Sequence, residues 1–401
     1  MKFKKSNKLF AHIDCDSFFA ECEILRNPSL KNKYVLVWKE IVLACNYKTK
    51  SLWIKTWTPV WQAKEILKSW AIFLDSDHDY YSIVSSRLMT YLEENLISVE
   101  PFSIDEAFCE ITWLSELSWL TLDKYIKKLQ QDIKKYIWIP VSIWVSNTRI
   151  KSKIFSEINK PNWIFIEIGT NNDLYKSLSL SKVPFIWKSS VQKLKFKCDN
   201  IYDFLSLGFW YIKNNLWKTY CDLWLELNWV NSYVVKKNKI SKSISRWRSF
   251  NKNITSDKDF LYKQLILNFN YLFEEFIIKE YETKKVILFY RYLDKKTYFF
   301  EKKLSYHTSD RRILLEIVKQ LFYFSYNNSN LYRSTWIIFS DLKNNSFHQI
   351  QLFENYKNEN NMNNWLYTLV NSINKKYNSH KICFWMDLIW KWFSSKLWIR
   401  K

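Results

Sequence analysis

The sequence predicts an α+β protein with two separate sheet-bearing parts. Three observations carry this. Apolar strand-like runs interleave with helix-period segments up to about residue 170. A second series, over 242–340, follows the order strand, helix, strand, strand, helix, strand. Between them, after short helical pieces over 174–230, lies a polar, basic stretch, "VNSYVVKKNKISK", with the composition of a linker.

In chain order, "LFAHIDCDSFFAECE" reads as a buried strand running into a helix, and "KYVLVW" and "IVLAC" as short strands. "DYYSIVSSRLMTYLEENL" has helical spacing. "PFSIDEAFCEIT" reads as strand, tight turn, strand. "LDKYIKKLQQDIKKYI" is an amphipathic helix, and "PVSIWVS" a strand. In the second part "KSISRWRSF", 256–281, "KKVILFYRYL", "KTYFFEKKLS", 309–325 and "STWIIFSDL" supply the βαββαβ order. The tail, 341–401, is rich in Asn and Lys and less patterned.

The 401 residues suggest two to four domains. Lys and Arg number 61 against 39 Asp and Glu, a net charge of +22 spread along the chain. Such an excess points to a polyanion partner, nucleic acid ahead of a membrane surface. Seven scattered Cys form no metal-ligand spacing and fit reduced thiols in a cytoplasmic protein. No apolar run approaches the ~18 residues of a membrane span, and no secretory core follows the basic start.

There are 22 Trp and 2 Gly, where average usage predicts about 28 Gly. The Trp occupy turn dipeptides: Asn162-Trp163, Asn228-Trp229, Ser69-Trp70, Ser118-Trp119. "KSLWIKTWTPVW" (50–61) holds three more, and Trp138 and Trp144 flank and enter a strand. Gly suits such places and Trp does not. The expectation is that most of these Trp are glycines in the native protein, the codon UGA having been read as Trp. Trp61, Trp224 and Trp365 sit in contexts that accept either residue. Trp at 53, 57, 144 and 187 is expected to overfill tight sites.

Three carboxylates carry chemistry. Asp14 lies in an apolar strand, and Asp105 and Glu106 are adjacent in "SIDEAF". Such groups are costly to bury unless paired or metal-bound. Mg2+ takes few oxygen ligands from protein and shares the rest with water and phosphates. Two such ions about 4 Å apart suit phosphoryl transfer.

"HIDCDSFFAECE", "ACNYKTKSLWIKTWTP", "YSIVSSRLMTYLEE", "VEPFSIDEAFCEITW", "VSIWVSNTRIKSKIFSEINKPNW" and "VPFIWKSSVQKL" occur in the order and spacing of Y-family translesion DNA polymerases. The resemblance spans roughly 8–355. "SIDEAFCE", "SRWRSF" and "LVNSINKKYNSHKICF" look more like the UmuC branch than the DinB branch. The resemblance implies a right-hand polymerase: a ferredoxin-like palm (1–25 and 85–173), small fingers (26–84) and a helical thumb with a helix-hairpin-helix (174–230). A linker (231–241), a βαββαβ little finger (242–345) and a tail (346–401) would follow. It implies error-prone, template-directed transfer of dNTP to a primer 3′-OH with two Mg2+ ions, as in the SOS response to DNA damage. The rivals are a DinB-like polymerase IV and a non-catalytic DNA- or clamp-binding protein.

Residue by residue, the resemblance makes Asp14, Asp105 and Glu106 the metal-binding triad, with the main-chain carbonyl of Cys15 as a further ligand. Tyr47, Lys50 and Lys160 would hold the incoming triphosphate, and Phe19 would be the steric gate against a ribose 2′-OH. Phe185 stands where the thumb hairpin usually has Gly. Lys242, Arg246, Arg248 and Arg333 would follow the DNA backbone of a primer-template. Gln349, Leu352 and Phe353 resemble a sliding-clamp peptide, an apolar pair for a groove fixed by a Gln amide. A UmuD-like subunit and a RecA filament are further implied partners.

Overall fold

The structure is a computed structural model. It describes residue 5 and residues 7–344, apart from 40, 69, 158, 170–171, 185, 187–197, 233–240, 251–253 and 295. The chain divides into two compact units, Met1–Asn238 and Lys239–Lys401. The clamp motif of Gln349, Leu352 and Phe353, the tail, Phe185, Trp187 and most of the linker lie outside the described residues.

The first unit is built on a five-stranded sheet of order β5-β6-β1-β7-β8. Its strands are β1 (Phe10–Cys15), β5 (Ser98–Pro101), β6 (Glu106–Glu110), β7 (Val141–Ser146) and β8 (Ile164–Glu167). β1 is central and antiparallel to both β6 and β7. Alternation along β1 sends Ala11, Ile13 and Cys15 into the main core. There they meet Tyr81, Val84, Leu88 and Leu92 of α4 (His78–Asn95) and Ile126, Leu129 and Ile133 of α6 (Leu122–Ile137). The other parity, His12 and Asp14, pairs with Phe108 and Glu106 across the sheet. That polar face carries the chemistry.

A smaller sheet, β3-β2-β4, forms within the predicted fingers from β2 (Tyr34–Trp38), β3 (Val42–Cys45) and β4 (Ala71–Asp75). β2 runs parallel to β4, and the intervening α3 (Val60–Leu67) buries Ala63 and Leu67 against Leu36, Val42 and Cys45. Short helices α9 (Ile201–Ser206), α10 (Phe209–Asn215) and α11 (Lys218–Leu227) enclose a separate core with α7 (Arg149–Ile154) and α8 (Asn172–Ser177).

The second unit has the βαββαβ order the sequence predicts: β9 (Ser243–Ser249), α12 (Lys258–Ile278), β10 (Tyr281–Tyr292), β11 (Thr297–Thr308), α13 (Arg311–Ser325) and β12 (Tyr332–Asn344). The sheet is antiparallel throughout, ordered β11-β10-β12-β9. α12 and α13 bury Leu265, Phe269, Phe273, Val318 and Phe322 against Val286, Leu288, Ile337 and Phe339. No described helix is long and apolar enough to cross a membrane.

Twelve non-glycine residues among those described have positive φ, and six are Trp: Trp53, Trp57, Trp113, Trp119, Trp138 and Trp229. Trp138 ends α6 in the left-handed conformation, its N–H donating to the Lys134 carbonyl. Helices usually place Gly in such a left-handed cap. One expectation is corrected: Trp53 and Trp57 do not overfill tight sites. These residues are 85% and 73% exposed, so the strain is in the backbone. Trp144 is fully buried in β7, and its Nε1 has no hydrogen-bond partner.

Candidate active site

The site forms where the C-terminal end of β1 meets the start of β6. Register sets Asp14 opposite Glu106, while the Cys15 N–H donates to the Asp105 carbonyl at 2.9 Å. The Cys15 side chain lies in the core. The two strands thus deliver Asp14, Asp105 and Glu106 to one place, although ninety residues separate them. His12, Asp14 and Glu106 each offer a ligand atom within 4.8 Å of the others. Asp105 turns its carboxylate to the Ser103 hydroxyl.

Two lysines neutralise this face. Lys160 Nζ is 2.7 Å from Asp14 Oδ2, and Lys153 Nζ, from α7, is 2.5 Å from Glu106 Oε2. Burial pushes Asp14 up to about 7; Lys160 opposes this, and the charges of Asp105 and Glu106 add to it. Burial also pushes Glu106 up, but hydrogen bonds from His12 and Lys153 and the Lys153 charge outweigh it and bring it to about 2. His12 is wholly buried between Phe108 and Trp144, which takes its pKa down to about 4 and keeps it neutral. Its Nε2 lies 3.0 Å from Glu106 Oε2. A carboxylate raised by burial and by its acidic neighbours marks a place where added positive charge stabilises the fold. The oxygen donors present, with cations already drawn to them, fit a hard divalent ion.

The predicted triphosphate residues gather beside the carboxylates. α2 (Tyr47–Lys50) is a single turn capped by Asn46, whose side chain accepts from the Thr49 N–H. Lys50 Nζ lies 4.1 Å from the Tyr47 ring centroid. Burial lowers the Lys50 pKa, and the charges of Lys160, Asp16 and Asp14 reach it. Phe19, on α1 (Phe18–Arg26), stacks on Tyr81 at 4.6 Å and meets His78 edge-on. The Tyr81 hydroxyl is fixed by buried Glu23 at 2.7 Å. This aromatic pair gives Phe19 a firm backing.

The second unit places Arg246 and Arg248 on β9 with the parity of buried Ile244 and Phe250, toward α12. Arg246 lies over the Tyr271 ring and Arg248 donates to Gln264. Arg333 belongs to β12, and Lys242 is exposed just before β9. Arg246, Arg248 and Arg333 lie on the β9–β12 pair and Lys242 just outside it, and among the described residues no one cluster of contacts joins them.

Sequence reasoning missed His12, Asp16 and Lys153. Each had a signal. His12 alternates with Asp14 in a strand whose other residues are apolar. Asp16 is a second acid two residues on. Lys153 falls in a helix that must cover the polar face.

The fold is that of Y-family DNA polymerases. A solved Y-family polymerase chimera built on Dbh superposes with a TM-score of 0.70 at 21% identity, over 84% of this chain and all of that one. DinB from Sulfolobus solfataricus gives 0.55 at 22%, over 83% and 98%. The impB/mucB/samB family matches residues 13–157, and that family's C-terminal domain matches 241–352, well over half the chain together. This chain belongs to that family. It is 38% identical to Protein UmuC of Salmonella typhimurium over 108 residues, 26% of each chain. It is 26% identical to DNA polymerase IV of Streptococcus pneumoniae over 325 residues, 78% of this chain and 90% of the other. The matched stretch thus spans about a quarter of the UmuC relative and most of the streptococcal one.

Proposed function

We propose that the chain is an error-prone, template-directed DNA polymerase that extends primers across damaged templates. One observation carries the reading: Asp14, Asp105 and Glu106 converge at adjoining strand ends, with Lys160 paired to Asp14 and Lys50 over the Tyr47 ring nearby. Asp14, Asp105, Glu106 and the Cys15 carbonyl would hold two Mg2+ ions, which when bound activate the primer hydroxyl and neutralise the pyrophosphate. Lys50 and Lys160 set charge against the triphosphate, and Phe19 closes the pocket over the sugar. Lys50 gives a point charge where Arg would give a bidentate grip.

UmuC-like behaviour, with a UmuD-like subunit and a RecA filament, is the favoured subtype. The extended similarity to relatives named DNA polymerase IV favours the second reading, a DinB-like enzyme acting without them. Lesion-template primer extension with and without these partners, and with and without a sliding clamp, separates the two. Robust extension by the chain alone would select the DinB-like reading. The clamp contact through Gln349, Leu352 and Phe353 is part of the same proposal. So is DNA tracking by Lys242, Arg246, Arg248 and Arg333.

Two expectations follow. Phe19→Ala should raise ribonucleotide incorporation by roughly 10- to 100-fold relative to deoxynucleotide. An unchanged ratio in competition assays would remove the gate assignment. Primer-template affinity should drop by at least about tenfold between 50 and 200 mM salt, since phosphate contacts release counterions. A flat salt titration by anisotropy would contradict a phosphate-gripping surface.

A further inference from the structure

Asp16 is 1% exposed and has no role among the triad or the triphosphate residues. It follows Asp14 by two positions yet faces other partners. Its Oδ2 accepts the Asn162 N–H at 2.7 Å. Ser142 Oγ, at the start of β7, lies 3.0 and 3.1 Å from the two carboxylate oxygens. The Tyr47 hydroxyl donates to Oδ1 at 3.3 Å. The Asp16 N–H donates to the Pro140 carbonyl at 2.9 Å. Ser142 in turn accepts the Trp163 N–H at 3.1 Å. One carboxylate therefore ties together the end of β1, the start of β7, the loop after Lys160 and the helix that carries Tyr47 and Lys50.

We propose that Asp16 is a positioning residue that locks the Tyr47 helix and the 160–163 loop into one preformed triphosphate cradle. The inference rests on the polymerase reading above. Its physical basis is simple. Lys160 and Lys50 approach the ligand from separate segments, and Coulomb attraction alone does not fix their spacing. A buried acceptor shared by Asn162 and Tyr47 does. A buried carboxylate is costly unless its lone pairs are satisfied, and three donors from three segments satisfy this one. Holding both sides of the pocket in place before the nucleotide arrives reduces the ordering cost of binding.

The test is nucleotide affinity on a dideoxy-terminated primer-template, where no chemistry follows, using dATP opposite template thymine. Asp16→Ala should weaken dATP binding about tenfold, while kcat on an extendable primer stays within about threefold. Asp16→Asn keeps the shape and can re-pair with both hydroxyls, so it should restore most of the affinity. Tyr47→Phe should cost less in the Asp16→Ala background than in the parent, because the two groups act as one unit. Unchanged affinity in Asp16→Ala, a fall in kcat at constant affinity, or an equal Tyr47→Phe penalty in both backgrounds would each overturn the proposal. If Asp16→Ala shows no cooperative melt, Ser142→Ala takes its place. It should weaken dATP binding about threefold, and parental affinity would overturn the proposal. A parent chain that binds no dATP fails the polymerase reading itself, and this inference with it.

Discussion

Asp105→Ala is expected to reduce primer extension by about a thousandfold, some 4 kcal/mol of lost transition-state stabilisation. The reason lies in how the three acids are arranged. Lys160 already pairs with Asp14 and Lys153 with Glu106, so each of those carboxylates is partly neutralised within the protein. Asp105 takes a hydrogen bond from Ser103, a neutral partner. It is the one carboxylate of the three without a lysine partner among the described residues, so it is free to turn toward a divalent cation without breaking an ion pair. Ser103→Ala should leave extension within about threefold, because the hydroxyl orients a charge it does not supply. Single-turnover rates with parallel melting curves check both variants. Parental extension by Asp105→Ala would remove the metal assignment, whereas no extension by the parent chain itself would favour a DNA- or clamp-binding protein without catalysis.

The legible parts of this molecule were the ones with a local period. The alternation in β1 and the long amphipathic α6 follow from their own residues, and the βαββαβ order of the second unit follows from theirs. β4 and α3 were not legible. α3 buries Val60, Ala63 and Leu67 at helical spacing, but its eight residues are too few to stand out, and the short apolar run "AIFLD" becomes β4 because parallel pairing with β2 supplies what its own pattern does not. Asp14 and the adjacent Asp105 and Glu106 stood out as carboxylates at apolar strand ends, but their reading as a metal-binding triad came from the family resemblance, since spacing alone does not separate it from a solvated Asp-Glu pair in a turn. The supports of these acids were not legible. Lys153 and Asp16 act through residues 47 and 146 positions away in sequence, and no spacing rule connects Glu106 to Lys153 or Asp16 to Asn162. The polar face of β1 becomes a site only when β6, β7 and α7 close around it.

Replacing Trp53, Trp57, Trp113, Trp119, Trp138 and Trp229 together by Gly is expected to raise the melting temperature of the chain by roughly 10 °C or more. A left-handed residue with a bulky side chain costs about 1–2 kcal/mol that Gly does not incur. Gly gives some of this back through the freedom of its unfolded chain, about 0.5–1 kcal/mol per site. The net gain is about 0.5–1 kcal/mol each, and Trp53 with Trp57 and Trp113 with Trp119, four and six residues apart, are the pairs close enough to couple. Little packing is lost in exchange at the exposed positions: Trp119 is 96% exposed, and Trp53 and Trp57 nearly as much. Trp229 is the exception, since its ring lies close beside Gly169 and under the Lys151 ammonium, so it should contribute least. Trp210 and Trp217, exposed but without positive φ, are the controls, and Gly there should be neutral or destabilising. Trp is about one residue in eighteen of this chain yet half of its described left-handed non-glycine positions. Side-chain chemistry gives no reason for that bias, whereas the backbone does if the native residue there is glycine. Peptide mass mapping of the native protein decides it. Glycine at these six positions is the expected result, and tryptophan at 53, 57 and 138 would refute it whatever the melting curves show.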